Sequence, residues 1–462
     1  MKTEYRKNGN DFTQGSIGGA ILHMAIPMML AQLINVLYSV VDRMYIGHIP
    51  LEGSLALTGI GICAPILSLI SAFSVLFGAG GGALCSIARG KGDDREAEEI
   101  MGCALTLLLI SGLVLTAVSE ACLRPLLYLF GASDTTYPYA EAYGRVYTAG
   151  TLFVMLSLGM NFFINAQGFS RVGMGTVLAG AVLNIVLDPI FIYLMHMGVR
   201  GAALATILSQ AAAAALVMAF LLSRKALLRL RRGNLRPRAA TVRQIVMLGF
   251  ANFIMNVTNS LVTISCNVQL RRYGGDLYVG AMTVINSIRE VVLMIVHGLT
   301  QGAQPVLGYN YGARVYSRVR SGIRFTAVGV VLYAVCAWGI LMLFPRPIIS
   351  IFTEEEALMA ITVRVARIFF MGYALMALQS TGQCVFVALG RSRQAIFFSL
   401  LRKVFVVVPL VFLLPLFFGA EGVFLSEPIS DLIGGVACFT TMMFTVYRRL
   451  PKDGELPERH DA

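Results

Sequence analysis

Gly78-Ala-Gly-Gly-Gly82-Ala83-Leu-Cys-Ser-Ile-Ala-Arg89-Gly-Lys-Gly92 and Gly298-Leu-Thr-Gln-Gly302-Ala303-Gln-Pro-Val-Leu-Gly-Tyr-Asn-Tyr-Gly312 can be written one above the other without a gap. The likeness extends outward. Ala166-Gln-Gly168 recurs as Ala388-Leu-Gly390, Asp188-Pro189 falls on Val408-Pro409, and Gly198-x-x-Gly201 returns as Gly419-x-x-Gly422. The chain is a duplication with an offset of roughly 220 residues. That period is too long for a solenoid and fits two similar bundles, with substrate near the seam between them.

The 462 residues are 57% hydrophobic and 13% charged, with a mean hydropathy of +0.73. Apolar runs of about 20 residues, enough to cross a hydrocarbon core as helices, recur along the whole chain. Alternating ten-residue segments are missing, which excludes a barrel. Twelve spans are expected, centred near Asn35, Leu69, Leu108, Leu152, Leu183, Ala211, Asn256, Val291, Val331, Ala374, Val407 and Gly434. The expected fold is therefore all-α and integral to the membrane: twelve transmembrane helices in two six-helix lobes. Six is even, so both lobes enter from the same side, as a parallel internal repeat. Pro27, Pro65, Pro189, Pro305 and Pro409 fall inside spans, where each frees a backbone carbonyl and can bend its helix.

The net charge of +12 points to topology rather than nucleic acid, because the basic residues occupy alternate loops. Lys2, Arg6 and Lys7 precede the first span; Arg89, Lys91 and Arg95 follow the second; Arg224, Lys225, Arg229, Arg231, Arg232, Arg236, Arg238 and Arg243 fill the middle. Arg314, Arg318, Arg320 and Arg324 follow the eighth, and Arg448, Arg449 and Lys452 the twelfth. The opposite loops hold fewer: Arg124, Arg145, Arg271 and Arg272. Both termini and the centre are expected to be cytoplasmic. The organisation reads as a lead at 1–16, an N-lobe at 17–223, a basic linker at 224–240, a C-lobe at 241–447 and a tail at 448–462. The linker is expected to anchor topology at the inner leaflet. Eight cysteines lie mostly within spans without CxxC or metal-ligand spacing, and no metal site is expected. The first apolar run lacks an A-x-A-like cleavage site and is expected to stay as a helix.

A charge at membrane depth costs about 2.5–3.5 kcal/mol on insertion scales, so intramembrane charges point to function or to pairing. In the first span, Asn35, Tyr38, Ser39 and Asp42 share one broad helical face. In the fifth, Asn184 precedes Asp188 by one turn, and Pro189 follows it. In the eighth, Asn286, Glu290, His297, Gln301 and Gln304 form one polar stripe, expected with Asn35 and Asn256 to face the substrate cavity. The C-lobe differs from the N-lobe: Val408-Pro409 stands for Asp188-Pro189, and Glu427 for Thr206. Arg402, Lys403, Glu427 and Asp431 are expected to neutralise one another as an internal charge network.

These residues carry a family resemblance. Ile26-Pro27-Met-Met-Leu, Tyr38-Ser-Val-Val-Asp42-Arg-Met-Tyr-Ile-Gly47, Asn184-Ile-Val-Leu-Asp188-Pro-Ile-Phe-Ile, Gly198-Val-Arg-Gly201-Ala-Ala and Gly302-Ala-Gln-Pro-Val-Leu-Gly-Tyr-Asn-Tyr-Gly312 stand in the order and spacing of the multidrug and toxic compound extrusion (MATE) transporters, and the chain resembles their DinF/MepA-like branch within the MOP superfamily. The resemblance spans about Gly15 to Arg449. It implies an antiporter coupled to H⁺ or Na⁺ that exports amphipathic, often cationic, drugs or toxic metabolites by alternating access. It also implies a cation-coupling group of Asp42, Asn184, Asp188 and Thr206, with Tyr38 and Asn161 close by. Desolvation disfavours a lone carboxylate in an apolar bundle, which suits proton exchange, while Asn and Thr oxygens suit a Na⁺ shell.

The alternative is a flippase for a lipid-linked saccharide or similar amphipathic precursor from the same superfamily, whose members usually have more spans and cationic cavities. An enzyme is not expected: Ala88-Arg-Gly-Lys-Gly92 lacks the rest of a phosphate loop, and the five His are scattered. The expected partners are small amphipathic molecules and membrane lipids, with no cofactor and no nucleic acid. The expected setting is a bacterial plasma membrane, in which the chain acts as a monomer.

Overall fold

The structure, a computed structural model, describes residues 11–49, 53–352 and 355–455. Lys2, Arg6 and Lys7, and the last seven residues of the tail, lie outside the described residues. Among the described residues every regular element is a helix. Ten helices are long and apolar enough to cross a membrane: α1 (Ile17–Gly47), α2 (Leu55–Gly90), α3 (Asp94–Leu129), α5 (Ser170–Leu194), α6 (Gly198–Leu222), α7 (Ala239–Gly275), α8 (Leu277–Gly312), α9 (Tyr316–Leu343), α11 (Ser392–Phe418) and α12 (Ala420–Arg449). Two further spans are bent pairs: α4 (Tyr137–Ala149 and Thr151–Ala166, 55°) and α10 (Glu356–Phe370 and Tyr373–Ala388, 46°). The twelve expected centres fall one in each.

Both bends have the same cause. Gly150 and Gly372, 222 residues apart, separate the two limbs of α4 and α10. At Gly150 a Cβ would collide with the Ile207 side chain of α6, and at Gly372 it would lie 2.7 Å from Cα of Pro428 in α12. Only glycine lets the last helix of each repeat press into the break. The same 222-residue register recurs at Gly168 and Gly390, both left-handed with φ of 88° and 73°.

This register corrects the ungapped alignment of residues 78–92 with 298–312 by two residues. A Cβ on Gly80 would meet backbone of Ile245 and Gly249, and one on Gly302 would lie 2.5 Å from Cα of Ala25. Gly80 and Gly302, 222 apart, thus do the same packing. Gly92 (φ 80°) closes α2, with Asp93 N–H donating to Ala88 C=O at 3.1 Å. Its structural counterpart is Arg314 (φ 59°), where Val315 N–H donates to Asn310 C=O at 3.0 Å. Glycines at 78, 80, 82, 90 and 92 are spaced evenly, so a sequence match slides by two without penalty.

The chain forms two compact units. One contains Ile26–Phe253; the other contains Phe12–Ala25 and everything from Ile254 onward. In the first unit, α2 packs on α3 and on the second limb of α4, where Gly78 meets Gly159 and Gly159 meets Leu108. The segment after α6 folds onto α3. Leu228 is fully buried, its N–H donating to Gln167 Oε1 at 2.9 Å; Arg231 and Arg238 pair with Glu98 and Glu99 at 3.1 and 2.5 Å.

In the second unit, the second limb of α10 packs on α12, with Gly382 against Cys438. Phe12 is buried, and its carbonyl accepts from Arg318 Nη2 at 2.8 Å and Asn310 Nδ2 at 3.1 Å. The tail docks beside it. Asp453 caps the start of α9, accepting from Ser317 N–H at 2.7 Å and Ser317 Oγ at 2.6 Å.

Candidate functional site

Pro189 lacks an N–H, so the regular ladder of α5 cannot continue through it. One wide turn follows at Ile190–Leu194, ending with Met195 N–H donating to Ile190 C=O at 2.8 Å. Such turns often mark functional sites. Asp188 stands at this discontinuity and is fully buried. Asn184 Nδ2 donates to Asp188 Oδ1 at 3.2 Å and lies 3.5 Å from Thr206 Oγ1, whose own proton goes to Ala202 C=O at 3.0 Å.

Across from them, Asp42 of α1 sets its carboxyl near that of Asp188, beside Tyr38. Asp42 Oδ1, Asp188 Oδ2 and Asn184 Oδ1 are buried and receive no hydrogen bond from a protein donor. Two neighbouring carboxylates repel, and burial removes the water that would screen them. A shared proton, or a cation on these bare oxygens, satisfies the group.

The group borders a small cleft whose polar wall includes Asn35, Tyr38, Thr176, Asn184, Thr206 and Gln210. Ser39 turns to Asn35 C=O at 2.9 Å and takes no part. Asn161 is spent on joining α4 to α5: its Nδ2 donates to Gly173 C=O at 3.1 Å and Thr176 Oγ1 at 2.9 Å. Gln383, 222 residues on, makes the matching bonds to Ala395 C=O at 3.1 Å and Ser399 Oγ at 3.0 Å. The shared geometry marks Asn161 as a fold residue of both repeats.

In the second unit, the structure brings Arg402, Lys403, Glu427 and Asp431 together. Glu427 Oε1 receives Arg402 Nη2 at 3.0 Å and Lys403 Nζ at 3.0 Å, and Arg402 Nη2 lies 2.6 Å from Asp431 Oδ1. Arg289 adds a third cation to the same Oε1 at 3.2 Å. Sequence reasoning left Arg289 out of the network, because the four expected charges already balance and nothing signals a fifth. Glu290 and His297 are exposed on α8, Asn286 and Gln301 are half-buried there, and Asn256 is exposed on α7. Gln210 and Thr176 went unnoticed too. Gln210 is the repeat counterpart of Asp431, one turn beyond Thr206 as Asp431 is beyond Glu427, and that comparison would have found it.

The MatE family model matches residues 27–190 and again 251–413. The multidrug export protein MepA of Staphylococcus haemolyticus (strain JCSC1435) is 25% identical over 437 residues, covering 94% of each chain. MepA of Staphylococcus aureus (strain MRSA252) is 24% identical, covering 94% of this chain and 95% of its own. Among solved structures, the outward-facing conformation of a multidrug resistance MATE family transporter of the MOP superfamily superimposes with a TM-score of 0.89 at 22% identity, covering 96% and 98% of the two chains. A crystal structure of MATE in the straight conformation gives 0.89 and 22%, covering 96% and 99%.

Proposed function

The chain belongs to the MatE family, and from that premise we propose that it is a multidrug efflux transporter working as an antiporter: H⁺ or Na⁺ enters as an amphipathic, often cationic, compound leaves. The observation that carries this reading is the neighbouring Asp42 and Asp188 carboxyls, whose buried Oδ1 and Oδ2 atoms are unsatisfied together with Asn184 Oδ1, set beside a polar cleft. A proton or Na⁺ on the pair removes the repulsion that opens it, and a cationic substrate near the pair competes for the same negative charge. Binding one therefore disfavours the other, which is the requirement for exchange. Asn184 and Thr206 orient the pair; Tyr38 and Asn35 line the approach.

Glu290 and His297, exposed on α8 with Asn286 before and Gln301 after them, and Asn256 on α7 are assigned to substrate contact. The basic loops and linker support a bacterial plasma-membrane setting with both termini on the cytoplasmic side and one chain as the transporting unit. The name of the MepA relatives supports a small-molecule substrate. A buried acidic pair favours drug antiport over lipid flipping. The deciding experiment is ethidium flux in proteoliposomes under an imposed proton or sodium gradient. Uptake driven by one ion and abolished by Asp188→Asn supports the reading; flux indifferent to both gradients overturns it.

A further inference from the structure

The repeat places a charge cluster in the second unit where the first has its cleft. Gly180, Ala181, Thr206 and Gln210 line the cleft, and at offsets of 221 to 222 their counterparts are Arg402, Lys403, Glu427 and Asp431. This cluster does not balance. Arg289, Arg402 and Lys403 face two acids, and all three cations converge on one oxygen, Glu427 Oε1. Glu290, the next residue, is exposed and is not among these ion pairs. A buried net positive charge is costly unless something neutralises it.

Access and shape identify where. The side chains of Arg402 and Lys403 are 8% and 4% exposed, whereas that of Arg289 is 24% exposed and lies over the Phe369 ring, 6.0 Å from its centre. Two donors inside the group, Arg402 Nε and the Tyr373 hydroxyl, are buried without a partner. We propose that this cluster is a recognition site for the anionic group of an organic acid, a carboxylate or sulfonate, which docks on the exposed edge of Arg289. A guanidinium offers five N–H donors in a planar fork suited to such groups, and Arg289 gives one nitrogen to Glu427. Export would then extend to acids and zwitterions, a class distinct from the cations assigned to the first unit.

The test is equilibrium binding to the purified full-length chain in detergent, without any gradient, so it stands apart from the antiport reading. Fluorescein serves as the aromatic anion and ethidium as the aromatic cation. Arg289→Gln leaves two cations on two acids and is expected to fold. It should weaken fluorescein by about tenfold or more and leave ethidium within about twofold. Asp431→Asn keeps an acceptor for Arg402 but raises the excess charge, so fluorescein should bind more tightly. A purely structural network predicts the contrary: no fluorescein saturation in the wild type, equal losses for both dyes in Arg289→Gln, or weaker fluorescein binding in Asp431→Asn. Any of these overturns the proposal. Should Arg289→Gln fail to purify, the sign of the Asp431→Asn change decides alone.

Discussion

The closeness of the Asp42 and Asp188 carboxyls limits how many charges one transport cycle can move. With both oxygens buried and unscreened, the pair cannot hold two full negative charges, so it exchanges one monovalent cation per turnover. One ion falling down a tenfold gradient releases about 1.4 kcal/mol, and a coupled substrate can reach at most about a tenfold concentration ratio. For a monovalent cationic substrate the exchange is also electrically silent. Ethidium accumulation in proteoliposomes at zero membrane potential should therefore plateau near about tenfold per unit of pH, or per decade of Na⁺ if Na⁺ is the partner. An applied potential should not move it. Asp188→Asn keeps the Asn184 hydrogen bond but carries no exchangeable charge, and the ratio should collapse to one with the protein still folded. A plateau near a hundredfold would require two ions and refute the shared-proton argument. Full coupling in Asp188→Asn would refute the site.

Glu427→Ala strands three cations and should cost about 3–5 kcal/mol, read as an earlier unfolding midpoint in SDS, whereas Glu427→Gln keeps an acceptor oxygen and should lose less. An unchanged midpoint in Glu427→Ala would show that the cluster does not stabilise the unit. Gly372→Ala places a methyl 2.7 Å from Pro428 Cα and should cost about 1–3 kcal/mol, while Gly339→Ala in α9, where nothing lies within 4 Å, should gain up to about 1 kcal/mol. Equal effects would mean that the bend in α10 is not set by that contact. Asp453, outside the membrane spans, is held below its ordinary 3.8 by its Ser317 hydrogen bonds. Its folded pKa is depressed, so its stabilising effect is complete above the unfolded value and disappears as pH falls through the folded one. Asp453→Asn should thus lower stability by less than about 1 kcal/mol at pH 7 and by nothing under strongly acidic conditions. A pH-independent difference would argue against the charge.

The fold was legible because bilayer crossing leaves little choice: apolar length, loop charge and repetition name the spans directly. The intramembrane carboxylates Asp42 and Asp188 stand out for the same reason, since charges at that depth demand an explanation, whereas Thr206 enters the group only through the family resemblance. Asn161 ties α4 to α5 through Gly173 and Thr176, a role that spacing in sequence does not separate from ion binding. Arg289 stayed outside the expected four-residue network because one residue changes a helix direction by about 100°, and spacing alone cannot tell which charges of two helices meet. The linker is expected to anchor at the leaflet, and the structure adds that its Leu228 and Arg229 N–H groups bond to Gln167 after α4 and Glu98 of α3, partners too distant in sequence to suggest themselves.

The division of α1 and α7 between the units has a consequence for biosynthesis. Phe12–Ala25, made first, belongs with residues beyond Ile254, while Ala239–Phe253, made midway, belongs with the first unit. As the nascent chain leaves the ribosome, α2 to α6 are in the membrane before Gly249 arrives to meet Leu76, and Ala25 has no seat until Gly302 has been translated. Each unit's closing piece is thus encoded in the other half of the gene. A gene fragment cut at the linker would yield two products, each lacking a helix end that the other carries.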